Sequence, residues 1–264
     1  MGYCRMDSPM LILVSGEGST DIGVASPGIT GLCPPGSWEP GPMALFIDRF
    51  VEKFFNFSPL DCYSMWFINE TSLNAISKKI KPMQASRDIY FKKNSKALLA
   101  VSYKLSKETE CDVLPILFRD TDGSQSQQRK RLWTGKRKSI ANCINPNEMY
   151  VCPMLPNPKS EAWLLCPLKN NYNSCARLEC LSGNDASPNS AKALLQECLN
   201  EEVSREVLNK LIENGNIDPN LINMPSINVY KKDMQQVVCR RDKISNLASS
   251  LLKEFDRVTT EITL

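Results

Sequence analysis

The chain has 264 residues, of which 42% are hydrophobic and 23% charged, with a formal net charge of +3, a balance that excludes large-scale disorder. Histidine is absent, which excludes Ser-His-Asp and Cys-His nucleophilic catalysis, His-based zinc sites and histidine-metal nucleases in one step. Any hydrolysis must run on carboxylates, lysines and metal ions.

The eleven cysteines are scattered, odd in number and without a Cys-x-x-Cys pair, so they read as reduced, small apolar residues of a cytoplasmic protein. Leu11 to Val14 is too short for a signal core or a membrane span, and no membrane association is expected.

In chain order, Met10 to Val14 is an apolar run followed by Ser15-Gly16-Glu17-Gly18-Ser19-Thr20-Asp21, the pattern of a strand entering a glycine-assisted loop. Glu17 is thus the first acid at a strand end. Residues 22–42 are dense in glycine and proline and are expected to form a loop or flap beside it. Pro42 opens a helix with the apolar stripe Leu45, Phe46, Phe50, Val51, Phe54 and Phe57. Cys62 to Ile68 suits a second strand, Thr71 a helix N-cap, and Arg87 to Glu110 one long helix.

That helix leads into Val113-Leu114-Pro115-Ile116-Leu117-Phe118-Arg119-Asp120-Thr121-Asp122-Gly123, an apolar run ending in two aspartates and a glycine. It reads as a buried strand that delivers carboxylates to its C-terminal end, where open α/β sheets bind ligands. Alternation puts Asp120 and Asp122 on one side if the strand persists through them. Carboxylates that close repel, and Mg²⁺ (or Mn²⁺) held by oxygen ligands relieves the repulsion. A solvent-facing turn is the plain alternative, since Asp-Thr-Asp-Gly is good turn chemistry. The strand-helix-strand order predicts an α/β fold with a mainly parallel sheet flanked by helices.

Next, Arg129, Lys130, Arg131, Lys136, Arg137 and Lys138 place six cations within ten residues around Trp133, with no acid between Asp122 and Glu148. Such a stretch suits a phosphate backbone, with Trp133 stacking on a base; a solvated helix face is the alternative. Met149 to Leu155 reads as another strand, Lys159 to Leu165 as a short helix with Glu161 near its start, and Ser187-Pro188 as an N-cap and first helical residue. Later stripes are Leu194, Leu195, Cys198 and Leu199, then Val207, Leu208, Leu211 and Ile212, then a last helix with Ile244, Leu247, Ala248, Leu251, Leu252 and Phe255. The expected organisation is an α/β catalytic domain over 1–155 and a mostly helical C-terminal extension over 156–264 packed on it.

The segments Gly16-Glu17-Gly18-Ser19-Thr20-Asp21 and Phe118-Arg119-Asp120-Thr121-Asp122-Gly123 resemble the TOPRIM domain, the Rossmann-like metal-binding α/β module of topoisomerases, primases and OLD-type nucleases. With Gly41-Pro42-Met43, Pro156-Asn157-Pro158-Lys159-Ser160-Glu161-Ala162-Trp163 and Ser182 to Pro188, most of the chain is similar to a family of short TOPRIM-like bacterial proteins often encoded beside an ABC-type ATPase in phage-defence loci. The resemblance implies a Mg²⁺-dependent nuclease acting on DNA or RNA, an effector of antiviral defence with an ATPase partner. It makes Glu17 an acid/base or metal ligand and Asp120 and Asp122 metal ligands. Lys159 is then the candidate stabiliser of transition-state charge, and Glu161 an outer ligand.

Asp120-Thr121-Asp122-Gly123-Ser124 also resembles the nucleophile loop of haloacid-dehalogenase-type phosphatases, with Asp120 as nucleophile, Asp122 as acid/base and Lys159 and Asp185 in support. That alternative leaves Glu17 without a role. A third class of reading is a non-catalytic, metal-binding subunit of an ATPase complex. Gly16-Glu17-Gly18 is not followed by Gly-Lys-Ser/Thr, so the chain itself is not expected to hydrolyse ATP.

Overall fold

Two apolar runs make the middle of the sheet. Strand β1 (Met10–Gly16) and strand β6 (Asp112–Phe118) pair in parallel, from Met10 opposite Asp112 to Gly16 opposite Phe118. A Cβ on Gly16 would stand 2.8 Å from that of Phe118, so glycine is what lets the two strand ends meet. The computed structural model describes residues 10–81, 89–122, 126–145, 148–200, 202–238, 247–260 and 262.

The other strands are β2 (Gly23–Ala25), β3 (Leu32–Cys33), β4 (Trp38–Pro40), β5 (Met65–Ile68) and β7 (Cys152–Met154). The main sheet has the order β3-β5-β1-β6-β7, with β5, β1, β6 and β7 parallel and β3 antiparallel at one edge. From β1 the chain moves to β5 on one side and then crosses to β6 on the other. The C-terminal ends of β1 and β6 therefore flank the topological switch point, where open α/β sheets leave a crevice.

Helices cover both faces. Ile12, Val14, Leu114, Ile116 and Phe118 share one core with α1 (Pro42–Phe55), α5 (Ser160–Asn170), α6 (Ala191–Leu199), α7 (Arg205–Glu213) and α8 (Pro225–Val238). Leu13, Val113 and Leu117 share the other with α2 (Glu70–Lys79), α3 (Ile89–Thr109), part of α4 (Ser126–Ala141) and α9 (Ser249–Val258). Strand alternation produces the division: neighbouring residues of one strand enter opposite cores. The helices after residue 156 are split between the faces, and α9 returns to α3 through Lys96–Glu254 and Lys107–Asp256 ion pairs. Among the described residues no helix is long and apolar enough to cross a membrane.

Several expectations need correction. Residues 22–42 are not all loop: β2 pairs with β4 as a small antiparallel ribbon, and β3 extends the main sheet. Helix α2 is capped by Asn69, whose side chain accepts from the Ser72 amide, and not by Thr71; helix α6 begins after Ser190, three residues beyond Ser187. Helix α8 was not anticipated, although Pro225 at its start and Ile227, Tyr230, Met234 and Val237 form an inward stripe. The cysteines are not all reduced, because the sulfurs of Cys166 and Cys175 are bonded at 2.08 Å. Arg87, Gly123 and Ile244 lie outside the described residues.

Candidate active site

Strand β6 ends at Phe118, and the next four residues are clamped from two sides. The amides of Thr121 and Asp122 donate to the Pro158 carbonyl at 3.0 Å each, and the Thr121 hydroxyl donates to the Pro156 carbonyl at 2.6 Å. From α4, the Lys136 ammonium donates to the carbonyls of Asp120 and Thr121 at 3.2 and 2.8 Å. This short turn is thus over-determined by its neighbours, which holds Asp122 at a φ of 55° in the left-handed region.

That conformation undoes the alternation argument. Asp122 turns out toward solvent, 3.6 Å from the Lys159 ammonium, whereas the Asp120 carboxylate accepts from the Ser160 amide at 3.0 Å. Asp120 therefore sits at the N-terminus of α5, on the positive end of its dipole. The Ser160 hydroxyl donates to Asp21 at 2.5 Å, drawing a third acid to the same place. Gly18, at a φ of 79°, leaves room for this: a Cβ there would stand 2.6 Å from the Asp21 carboxylate.

Asp120, Asp21, Glu161, Asp122 and Glu17 form one electrostatic cluster. Burial pushes the Asp120 carboxyl well above the usual carboxylate range, and the charges of Asp21, Glu161, Asp122 and Glu17 push in the same direction. Although the Asp120 residue keeps partial exposure, its carboxyl is the desolvated part. Asp21 is raised from 3.8 to about 6, mainly by burial, with Ser160 pulling it down and Glu161 and Glu17 pushing it up. Lys159 stands at the N-cap position of α5, but its side chain caps nothing there and reaches Asp185 at 2.9 Å. Burial lowers its basicity, and the bond to Asp185 with the charges of Asp120 and Glu161 more than restores it.

Glu17 is placed differently from the expectation. One oxygen accepts from the Asp120 amide at 2.9 Å, and the other pairs with Arg119 at 3.3 Å. Glu17 is thus tied to the β6 turn while 39% of its side chain stays exposed. Asp21 is the residue that sequence reasoning left without a role; its position at the end of the Gly16-to-Asp21 loop was the available signal.

Half of the cations of the basic stretch serve the interior. Arg129 is 1% exposed and donates to the Leu181 carbonyl; Arg137 forms a two-point pair with buried Asp233 on α8, with Nε at 2.7 Å; Lys136 holds the β6 turn. Trp133 is half-buried against the core that contains α3 and donates its indole N–H to the Leu155 carbonyl at 2.9 Å. Lys130, Arg131 and Lys138 remain exposed.

A cavity of about 240 Å³ lies beside the loop after β1, lined by Gly16, Gly18, Ser19, Phe67, Asn69 and Glu70 among others. For a divalent cation the donor type fits: the cluster offers only hard oxygen ligands, and the upward push on Asp120 is the imbalance that positive charge offsets. Among the described residues no three acidic, cysteine or histidine side chains already converge as a cation-holding group. Neither a protein-family model, nor a curated protein, nor a solved structure matches the chain.

Proposed function

We propose that this chain is a TOPRIM-type, Mg²⁺- or Mn²⁺-dependent nuclease that hydrolyses phosphodiester bonds of DNA or RNA, a cytoplasmic effector of antiviral defence with an ABC-type ATPase partner. One observation carries the reading: at the switch point of a mainly parallel sheet, burial and the charges of Asp21, Glu161, Asp122 and Glu17 together raise Asp120. The sequence resemblance supplies the reaction class and the partner.

Asp120, Asp21, Asp122 and Glu161 are the residues that hold the cation in this reading. The chemistry a bound Mg²⁺ or Mn²⁺ supplies is polarisation of a phosphoryl oxygen and activation of water. Lys159, 15% exposed beside Asp122, keeps its proton and faces the site as the cation for developing phosphoryl charge. Ser160 orients Asp120 through its amide and Asp21 through its hydroxyl. Glu17 acts from behind, on the Asp120 amide. Exposed Lys130, Arg131 and Lys138 are the cations left for a nucleic-acid backbone. The cytoplasmic location is supported by seven unpaired cysteines among the described residues.

The phosphatase reading keeps one supporting observation, the 2.9 Å Lys159–Asp185 pair beside Asp122. One assay separates the two: plasmid DNA, single-stranded DNA and tRNA are incubated with Mg²⁺ or Mn²⁺, with a phosphomonoester in parallel. The expected outcome is cutting by wild type that falls by at least about a hundredfold in Asp120→Ala and is also lost in Glu17→Ala. Phosphomonoester turnover that needs Asp120 but ignores Glu17 overturns the nuclease in favour of the phosphatase.

A further inference from the structure

Arg119 takes no part in the proposed chemistry, yet it is a buried charge with three side-chain partners at the C-terminal ends of the strands. Its side chain is 1% exposed. Nη1 lies 2.9 Å from a Glu70 oxygen and 3.3 Å from a Glu17 oxygen, and Nη2 donates to the Tyr90 hydroxyl at 3.3 Å. The guanidinium lies 5.6 Å from the centre of the Tyr90 ring, and the Tyr90 hydroxyl donates to Glu70. Nε is buried without a partner. A planar, permanently charged fork can serve two carboxylates and a phenol at once, whereas a lysine ammonium on a flexible stem is a single point charge.

We infer that Arg119 is a positioning residue acting through Glu17: it holds one Glu17 oxygen so that the other fixes the Asp120 amide, and thereby sets the turn that presents Asp120. The physical chain is continuous. Tyr90 in the first turn of α3 holds Nη2 from the helix side, Arg119 links it to Glu17, and Glu17 ends on the Asp120 N–H at 2.9 Å. Without Arg119, Glu17 and Glu70 face each other as uncompensated carboxylates. Glu17 then swings toward water and releases the amide. Glu70 shares Nη1 with Glu17, so it competes for the same donor. Arg119 and its second carboxylate partner Glu70 thus act on Glu17 in opposite senses, which a general structural role for the cluster does not produce.

The consequence for cutting rests on the nuclease reading, but the positioning itself does not, so the test is read on the backbone. Hydrogen exchange at the Asp120 amide is measured relative to the Thr121 amide, whose bonds to the Pro156 and Pro158 carbonyls do not involve Glu17. Arg119→Met is expected to speed Asp120 exchange about tenfold or more relative to Thr121, the effect of losing a hydrogen bond to a charged acceptor. Arg119→Met combined with Glu17→Ala should exchange at Asp120 within about twofold of Glu17→Ala alone, because residues in one chain of contacts are not additive. Glu70→Gln should leave the ratio unchanged or slow it.

An unchanged ratio in Arg119→Met, full additivity in the double variant, or acceleration in Glu70→Gln overturns the inference. If Arg119→Met does not fold, Arg119→Lys carries the test, with an expected increase of about threefold and a wild-type ratio as the overturning result. Where wild type cuts nucleic acid, Arg119→Met should lower kcat with little change in KM. A changed exchange ratio in a protein that cuts nothing supports the positioning and sinks the nuclease; cutting with an unchanged ratio does the reverse.

Discussion

The carboxylate edge and helix α4 are the two charge-rich regions of this protein, and the fold treats them in opposite ways. At the edge, Asp120, Asp21, Glu161, Asp122 and Glu17 crowd together, and burial with mutual repulsion lifts Asp120 and Asp21. On α4, four members of the basic stretch are individually engaged: Arg129 with Leu181, Trp133 with Leu155, Lys136 with the β6 turn and Arg137 with Asp233. Local density of one charge is therefore a poor guide to a binding surface. What distinguishes the regions is the sign of their neighbours: Lys136, Arg137 and one nitrogen of Arg129 bond to carbonyls or a carboxylate, whereas the charges of Asp21, Glu161, Asp122 and Glu17 all act against an ionised Asp120. Lys136 joins the two, spending a cation of α4 on the carbonyls that shape the acidic turn.

The sharpest way to break this contrast is to remove a satisfied cation. Arg137→Met should cost about 3 kcal/mol, because Asp233 is left buried without its partner. Urea unfolding measures it, and adding Asp233→Leu should recover most of the loss. A neutral result for Arg137→Met would make α4 an ordinary surface helix and erase the distinction.

A smaller effect is expected at the edge itself. Asp21 has a folded pKa of about 6 against 3.8 without the fold, so between these values the native state holds a proton that the unfolded chain has lost. Native binding exceeds unfolded binding, and stability falls as pH rises through that window. Lowering the pH from 7 to 5 without metal should therefore add about 1 kcal/mol of stability, and Mg²⁺ at pH 7 should act in the same direction. Glu70 and Glu254 are lowered by their partners, so the stability they contribute is lost only below 4.5, outside this interval. Thermal melts of wild type and Asp21→Asn give the comparison; in the variant, the pH dependence above 5 should weaken without vanishing, because burial raises Asp120, Asp48, Glu179 and Asp233 in the same direction.

The smallest effect belongs to the exposed cations of α4. Replacing Lys130, Arg131 and Lys138 together by alanine should weaken nucleic-acid binding by less than about tenfold at physiological salt and lower the salt slope by about one to three. Stability should not change. A loss as large as that from Asp120→Ala in cutting would return α4 to the centre of recognition and overturn its assignment to the interior.

Much of the fold was legible because its signals are local. The runs at Met10 and at Val113 became β1 and β6, Pro42 opened α1, and Glu17 and Asp120 were expected at two strand ends, which the pairing of β1 with β6 makes neighbours. Strand β7 is only Cys152–Met154, shorter than the apolar run that announced it. The ribbon of β2 and β4 was hidden in a glycine- and proline-rich stretch, because such strands exist only through their partners. Helix α8 escaped notice although its stripe is regular, and it supplies Ser226 to the buried Trp163 indole.

By itself the sequence determined where the acids stand along the chain: apolar runs long enough to be buried strands end shortly before Glu17 and Asp120, and the absence of histidine removes imidazole from the chemistry. The tertiary structure alone decided which charges meet. Asp21 joined Asp120 because Ser160, 139 residues away from Asp21, bonds to both. Asp122 left its neighbour because the Pro156-to-Pro158 segment bends the turn into the left-handed region. Cys166 found Cys175, and Glu17 found Arg119. The reason is physical: hydrophobic period is written in near neighbours, but the free energy of a charge is set by whatever desolvates it and whatever partner packing brings within reach.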